Sequence, residues 1–214
     1  DSHSPTLRRF HRVLWSRALP SGQVFELQAP VGGPYLVHES ALGRFELSSD
    51  AVIATFHGYE STRHIFEILP ADEVEAFEAL GYTMGGMLVF PSTKVDNKMT
   101  INGARGFTRK IADRMDLTLE CIRRHYVHQP SPLAGTLDRY TDFFRLFDSF
   151  EGYVDFFFLQ DLVDERTGEV QYFHHFDDFT TPAIPTTVDD YGRFRERSID
   201  FITGRNERIA RLGL

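Results

Sequence analysis

The strongest candidate for a chemical site is a short basic loop, residues 98–110, that also carries glycine and asparagine. The loop precedes a predicted helix, and free N–H groups at a helix N-terminus attract phosphate and carboxylate groups. Arginine adds a planar bidentate fork. We therefore predict that the loop binds an anionic small molecule, for example a nucleotide. The side chains expected to hold it are Lys98, Asn102, Arg105 and Arg109.

The same loop has a second interpretation, which the sequence leaves open. Asn102-Gly103 is typical of a turn, and the cations could pair with the nearby carboxylates of Asp96, Asp113 and Asp116. The spacing matches neither the Walker lysine loop nor the dinucleotide glycine fingerprint. A purely structural role for the loop is therefore the alternative to anion binding.

Two carboxylates in the following helix, Asp116 and Glu120, are candidates for a general base. Either could act in a cleft beside Arg105 or Arg114 if its pKa were shifted toward neutrality. However, Glu120 and Arg124 stand at i and i+4, a spacing that usually stabilises a solvated helix. The sequence therefore does not decide between catalysis and binding.

We predict no metal site, and no motif implies a particular cofactor. Cys121, His125 and His128 could share one side of a helix, but a structural zinc site normally has four ligands. The chain contains no G-x-S-x-G elbow, H-E-x-x-H helix, EF-hand loop or C-x-x-C pair. The sequence therefore contains none of these motifs that would indicate a common hydrolase or metalloenzyme class.

The charge is unevenly distributed along the chain. The net charge is -8, yet residues 94–114 carry +4 and residues 191–214 carry +3. The overall negative charge opposes binding to nucleic acid or anionic lipid, so we expect neither partner. A second hypothesis is a non-catalytic interaction protein. Its basic loop and arginine-rich C-terminal helix would dock an acidic protein partner or a second copy of the chain.

Hydrophobic periodicity predicts a single α+β domain, residues 1–214, with a small antiparallel sheet from the N-terminal half packed against a mainly helical C-terminal half. The predicted strands are 23–28, 35–39, 44–47, 51–56, 87–91 and 169–173. The predicted helices are 5–17, 61–69, 70–80, 108–127, 131–147 and a long final helix from Thr187. Residues 153–163 are too uniformly apolar to distinguish helix from strand, and we favour helix.

The phenylalanines between 143 and 158 are expected to form part of the core, with an apolar ligand pocket or a dimer face as the alternative. The longest stretch without charged residues, 79–93, contains three glycines and is too short to span a membrane. A lone cysteine and an N-terminus without a signal-peptide pattern favour a cytoplasmic location.

Several strings are similar to those of a bacterial family catalogued only as a domain of unknown function. They are T-I-N-G-A-R-G at 100–106, D-L-T-L-E-C-I-R-R-H-Y at 116–126 and Y-V-D-F-F at 153–157. The resemblance spans roughly residues 5–210 and implies a bacterial, cytoplasmic protein with one family-wide domain. It implies no substrate, cofactor or catalytic residue.

Overall fold

The computed structural model describes residues 4–213. A three-stranded antiparallel sheet lies in the N-terminal half, with strands β1 (Leu36–Ser40), β2 (Gly43–Ala51) and β3 (Met87–Pro91). β2 is the central strand, and Leu47 faces Leu36 on one side and Pro91 on the other. Helices dominate the C-terminal half, so the predicted α+β class is confirmed.

The α-helices form most of the C-terminal half and also occur in the N-terminal half. They are α1 (Pro5–Trp15), α2 (Arg63–Phe66), α3 (Ala71–Gly81), α4 (Ile101–Phe107), α5 (Met115–Tyr126), α6 (Ala134–Leu137), α7 (Thr141–Arg145), α8 (Phe150–Phe156) and α9 (Val188–Ala210). Short 3₁₀ turns occur at Glu60–Thr62, Met84–Gly86, Asp138–Tyr140 and Gln160–Leu162. Within residues 4–213, no helix has the length and apolar character that a bilayer crossing requires.

Local signals located the N-termini of α1 and α9 correctly. Ser4 caps α1, and its hydroxyl accepts a hydrogen bond from the Leu7 N–H. Thr187 caps α9 in the same way, since its hydroxyl accepts from the Asp190 N–H. The apolar run 87–91 is the fully buried strand β3, as predicted.

Three predicted strands are wrong. Residues 23–28 are extended, but they form only isolated bridges from Val24 to Ala18 and from Gln28 to Val37. Residues 52–56 leave the sheet after β2 and end at Phe56, whose φ is 60°. Residues 169–173 contribute a single bridge from Val170 to Val163. Apart from the exposed Val24, the apolar side chains of these segments are buried or half-buried without forming a ladder of strands.

Two predicted helices are interrupted by left-handed residues or tight turns. The helix predicted from 108 begins only at Met115, because Ala112 and Asp113 both have positive φ. The predicted helix 131–147 is divided into α6, a 3₁₀ turn and α7. Residues 153–163 are α-helical only to Phe156; Phe158 then has φ 56°, and a 3₁₀ turn follows at Gln160–Leu162. The preference for helix there is therefore correct for the first part only.

The core joins both halves of the chain through aromatic side chains. Trp15 of α1 packs against Phe157, with ring centroids 5.1 Å apart, and Phe25 packs against Phe156 at 5.3 Å. The predicted core phenylalanines are all buried: Phe143, Phe144, Phe147, Phe150, Phe156, Phe157 and Phe158. Edge-to-face contacts among such rings add to the stabilisation from area burial.

α9 and the turn before β3 approach so closely that only glycine fits. The Gly85 N–H donates to Asn206 Oδ1 at 2.7 Å, and a Cβ at Gly85 would lie 2.5 Å from the Ile202 carbonyl oxygen. A Cβ at Gly86 would lie 2.2 Å from the Gly81 carbonyl oxygen. These contacts hold α3, α9 and β3 together.

The substitution Gly86→Ala should lower the free energy of unfolding by about 2 kcal/mol or more, because backbone atoms must move to admit the methyl group. Gly135→Ala in α6 is the matched control, since nothing lies within 4 Å of its Cβ position. We expect that control to be neutral or stabilising by about 0.5 kcal/mol. Urea denaturation measures both variants, and equal stabilities would contradict the close approach.

Candidate functional site

The basic segment, residues 94–110, begins with a tight turn. Asp96 and Asn97 both have left-handed backbone conformations, which these two residue types tolerate better than most. The Lys98 N–H donates to the Val95 carbonyl oxygen at 3.0 Å and closes the turn. Thr100 then caps α4, and its hydroxyl accepts from the Gly103 N–H. Most of the predicted basic loop is therefore the helix α4, and the prediction that residues 98–110 form a loop is wrong.

One side of α4 is fixed to the sheet by its polar side chains. Asn102 donates through Nδ2 to the Ser48 hydroxyl at 3.2 Å and to the Ser49 carbonyl oxygen at 3.4 Å. Arg105, one turn later, is fully buried and also contacts β2. The structure thus brings these two predicted anion-binding residues together, but their bonds go to the protein's own sheet.

The Arg105 guanidinium connects α4 to both β2 and α5. Its Nε donates to Thr118 Oγ1 at 3.0 Å, and Nη1 donates to Asp50 Oδ2 at 2.5 Å. Nη2 donates to the carbonyl oxygens of Ala51 and Asp113 at 3.1 and 2.9 Å. Burial raises the pKa of Asp50, and the Arg105 charge opposes that rise. Arg105 therefore has little hydrogen-bonding capacity left for a ligand.

The other predicted anion-binding residues, Lys98 and Arg109, lie in solvent beyond the two ends of α4. Lys94 and Lys110 are also exposed, and none of these four side-chain charges has a hydrogen bond or ion pair within residues 4–213. Phe107, at the C-terminal end of α4, is 76% exposed.

Phe107 is a residue that the sequence analysis missed. The sequence feature that could have identified Phe107 is an apolar residue that stands between cationic residues. Met99, at the other end of α4, is also exposed. The exposed part of the basic segment therefore combines cations with apolar side chains.

Asp116, one candidate base, is fully buried in an ion pair with Arg114. Arg114 Nε donates to Asp116 Oδ1 at 3.1 Å, and Nη1 donates to the Ala183 carbonyl oxygen at 2.9 Å. The Phe173 N–H donates to Asp116 Oδ2 at 2.9 Å. The pair therefore attaches the irregular segment around 173–183 to the start of α5.

Glu120, the other candidate base, is buried and held by two arginines. Arg123 donates to it from Nε and Nη2 at 2.8 and 2.9 Å, and Arg124 Nε donates at 2.6 Å. Burial alone would raise the pKa of Glu120, but these hydrogen bonds and charges lower it overall. Because Arg124 also binds Asp178, the network fixes the loop that follows residue 173. Neither candidate base faces solvent, and catalysis by either stays a prediction.

The residues of the potential metal set do not converge on one point. Cys121 is buried, while His125 lies 3.2 Å from Asp138 Oδ1 through its Nδ1. Within residues 4–213, no group of three or more His, Cys, Asp or Glu side chains is arranged to hold a metal ion.

Two cavities lie away from the basic segment. One, of about 580 Å³, is an apolar groove between α1 and α9 with Phe10, Leu14, Met84 and Ile209 in its walls. The other, of about 650 Å³, lies beside α9 and is lined by Tyr172, Arg197 and Asp200 among others. The groove between α1 and α9 is the more apolar of the two.

The fold is α+β, and the predicted anion-binding residues divide into a pair bonded to the sheet, Asn102 and Arg105, and an exposed pair, Lys98 and Arg109. Comparison of the chain with known proteins identifies its family but no activity. The chain belongs to a family of unknown function, DUF6994, whose model matches residues 1–209. No curated protein and no solved structure matches the chain. The resemblance noted in the sequence is thereby confirmed as membership of a family of unknown function.

Replacing Arg105 should destabilise the fold rather than abolish binding selectively. We expect Arg105→Met to lower the free energy of unfolding by about 2–3 kcal/mol, because it removes the bonds to Asp50 and Thr118 and leaves buried carbonyl groups unpaired. Arg109→Met, in the exposed part of the segment, should change it by less than about 0.5 kcal/mol. Chemical denaturation compares the two, and a similar small change in both would refute the structural role of Arg105.

Cys121 should be unreactive in the native protein. Burial raises the pKa of its thiol to about 12, so the nucleophilic thiolate is scarce at pH 8. A thiol-specific reagent should therefore label the folded protein only slowly and the urea-unfolded protein rapidly. Rapid labelling under native conditions, with the fold intact by circular dichroism, would be inconsistent with this burial.

Proposed function

We propose that the protein is a non-catalytic interaction protein that docks an acidic protein surface through its basic segment, residues 94–110. The observation that carries this proposal is that Lys94, Lys98, Arg109 and Lys110 are exposed and unpaired within the described residues. Cations without an intramolecular partner are free to contact carboxylates of another protein and to accelerate association.

The apolar residues beside these cations support a protein partner. Phe107 and Met99 are exposed at the two ends of α4. Aromatic and methionine side chains are enriched in the centres of protein interfaces, where they act as anchors inside a polar rim. We therefore expect the partner to offer carboxylates around an apolar depression that receives Phe107.

We prefer this proposal to the small-molecule hypothesis because Asn102 and Arg105 already form hydrogen bonds within the protein. A nucleotide would need convergent donors, yet Asn102 and Arg105 are bonded to β2 and α5. Lys98 and Arg109 are separated by the length of α4. A broad acidic surface can use such separated cations, whereas a single phosphate group cannot.

The arginine-rich C-terminal helix contributes less to this proposal than its sequence suggests. Arg193 pairs with Asp190, Arg195 with Glu73 and Arg208 with Asp161. Arg197 donates to the Tyr172 carbonyl oxygen, and Arg205 is buried. Docking through the basic segment therefore does not require α9.

We also propose that this docking takes place in the bacterial cytoplasm. The bacterial family that the sequence resembles and the free thiol of Cys121 support that location. Fractionation of the source cells tests it, with recovery in the cytosolic fraction as the expected result and recovery outside the cell as the contrary one.

The docking experiment uses a fluorescently labelled glutamate-rich peptide that contains one leucine cluster, with binding measured by anisotropy. The test variant replaces Lys98, Arg109 and Lys110 with glutamine. The control variant replaces three exposed cations elsewhere, Arg9, Arg12 and Arg166, so that the net charge changes equally. We expect the test variant to lose binding about tenfold or more and the control variant to retain it.

Other probes separate the alternatives. Equal binding by both variants would mean that only net charge matters, which contradicts the proposal. Binding of single-stranded DNA in preference to the peptide would favour a nucleic-acid partner instead. Binding of ATP that is lost in the test variant would restore the small-molecule hypothesis. A concentration-dependent change in the elution volume of the protein alone, lost in the test variant, would identify a second copy of the chain as the acidic partner.

A further inference from the structure

The apolar groove between α1 and α9 is lined by apolar side chains that remain open to solvent. Phe10 and Val13 line it from α1, and each is 48% exposed. Ile209 lines it from α9, and the buried Leu14 also borders it. Single exposed apolar residues are normal, but several that line one concave site are typical of a ligand pocket. The volume of about 580 Å³ lies within the range of roughly 300–1,000 Å³ that small-molecule sites occupy.

The groove residues of α1 lie on one face of the helix in a polar-to-apolar order. Thr6, Arg9, Phe10 and Val13 are separated by steps of three or four residues, so they share one side of α1. The two polar residues come first along the helix. At a rise of about 1.5 Å per residue, Val13 lies about 10 Å beyond Thr6. The groove therefore has a polar end and an apolar remainder along α1.

Arg9 brings an unpaired positive charge to this groove. It is exposed, and its guanidinium forms no hydrogen bond or ion pair within residues 4–213. The hydroxyl of Thr6, one turn earlier, also has no partner in the part of the chain that the structure describes. Among the described residues that line the groove, none is acidic. The groove is therefore complementary in charge to a ligand with one negative group.

The other polar side chain of the groove already has partners within the protein. Asn206 Oδ1 accepts from the Gly85 N–H at 2.7 Å, and Asn206 Nδ2 donates to Thr83 Oγ1 at 2.9 Å. These bonds hold α9 against the turn before β3, which contributes Met84 to the groove. The groove is therefore formed before any ligand binds, and Asn206 is not needed to hold one.

We propose that the groove between α1 and α9 binds a free monocarboxylate with an unbranched hydrocarbon chain, that is, a medium-chain fatty acid. Arg9 pairs with the carboxylate, and the Thr6 hydroxyl donates a hydrogen bond to it. Phe10, Val13 and Ile209 cover the chain. This site is separate from the basic segment and does not depend on the docking proposed for that segment.

The chemistry of the groove selects this ligand over other amphiphiles. A neutral chain would leave Arg9 without a counter-charge, and a second negative group would find no further cation among the described lining residues. Leu14 is 2% exposed and lies below the rim. A single hydrocarbon chain can reach it between the two helices, whereas the surface of a bilayer cannot.

The first experiment is isothermal titration calorimetry of the full chain with sodium octanoate, sodium acetate and 1-octanol. We expect octanoate to bind the wild type at least about a hundredfold more tightly than acetate, because the groove covers its additional methylene groups. We expect 1-octanol to bind more weakly than octanoate, because it has no charge to pair with Arg9. Absence of octanoate binding, or equal affinities for octanoate and 1-octanol, would overturn the proposal.

Two arginine variants of α1 test the carboxylate contact. Arg9→Gln should weaken octanoate binding about tenfold and leave 1-octanol binding unchanged, because a charge-assisted hydrogen bond is lost. Arg12→Gln is the matched control, since Arg12 is exposed on the same helix but does not line the groove. It should bind both ligands within about twofold of the wild type. Equal octanoate affinities in the two variants would refute the role of Arg9.

Two valine variants test where the hydrocarbon chain lies. Val13→Asp places a negative charge in the groove and should abolish binding of octanoate and 1-octanol. Val31→Asp makes the same change at a fully exposed position outside the groove and should have no effect. Equal binding by the two variants would rule out the groove as the site. Should Val13→Asp fail to fold by circular dichroism, the arginine pair alone decides.

Two further measurements separate this site from other surfaces. Octanoate binding should persist when Lys98, Arg109 and Lys110 are replaced with glutamine, so that failure of the docking proposal leaves this one standing. Loss of octanoate binding in that variant would place the ligand at the basic segment and contradict the proposal. Cosedimentation with phosphatidylglycerol vesicles, lost in Val13→Asp and without octanoate binding in solution, would assign the groove to a membrane surface and likewise overturn the proposal.

Discussion

The structure depends on providing hydrogen-bond acceptors for three guanidinium groups that are buried away from water. Arg105 joins α4 to β2 and α5, Arg114 joins the start of α5 to Ala183, and Arg205 joins α9 to the turn before β3 and to Phe157. Each connects segments that are far apart in sequence. Because an unpaired buried guanidinium is so unfavourable, these arginines restrict how the helices can be placed on the small sheet.

This requirement divides the basic residues into two groups with different roles. The buried arginines position secondary structure, and they use carboxylates or carbonyl groups of the chain itself. The charged groups at the ends of α4 are exposed and have no ion pair within residues 4–213. The charge maximum that stands out in the sequence is therefore partly a feature of folding, and the docking we propose would use the remainder.

The sequence predicted those elements whose signals are local. Helix caps at Ser4 and Thr187, the buried strand 87–91 and the α+β class follow from residues within one or two turns of each other. The sequence could not show that Asn102 and Arg105 bond to β2, because the partners Ser48 and Asp50 are more than 50 residues away. The same limit applies to Arg205, whose neighbours come from α1, α8 and the turn at 84–86. Strands were overpredicted where alternating apolar residues are buried by loops.

NMR of the arginine Nε–H groups tests the central claim most directly. In the structure, the Nε–H of Arg105, Arg114 and Arg205 each donates to a protein oxygen away from solvent. With assignments from single substitutions, these three signals should exchange slowly with water, while the Nε–H of exposed Arg109 should exchange rapidly. Rapid exchange of all arginine Nε–H groups in the folded protein would contradict the account.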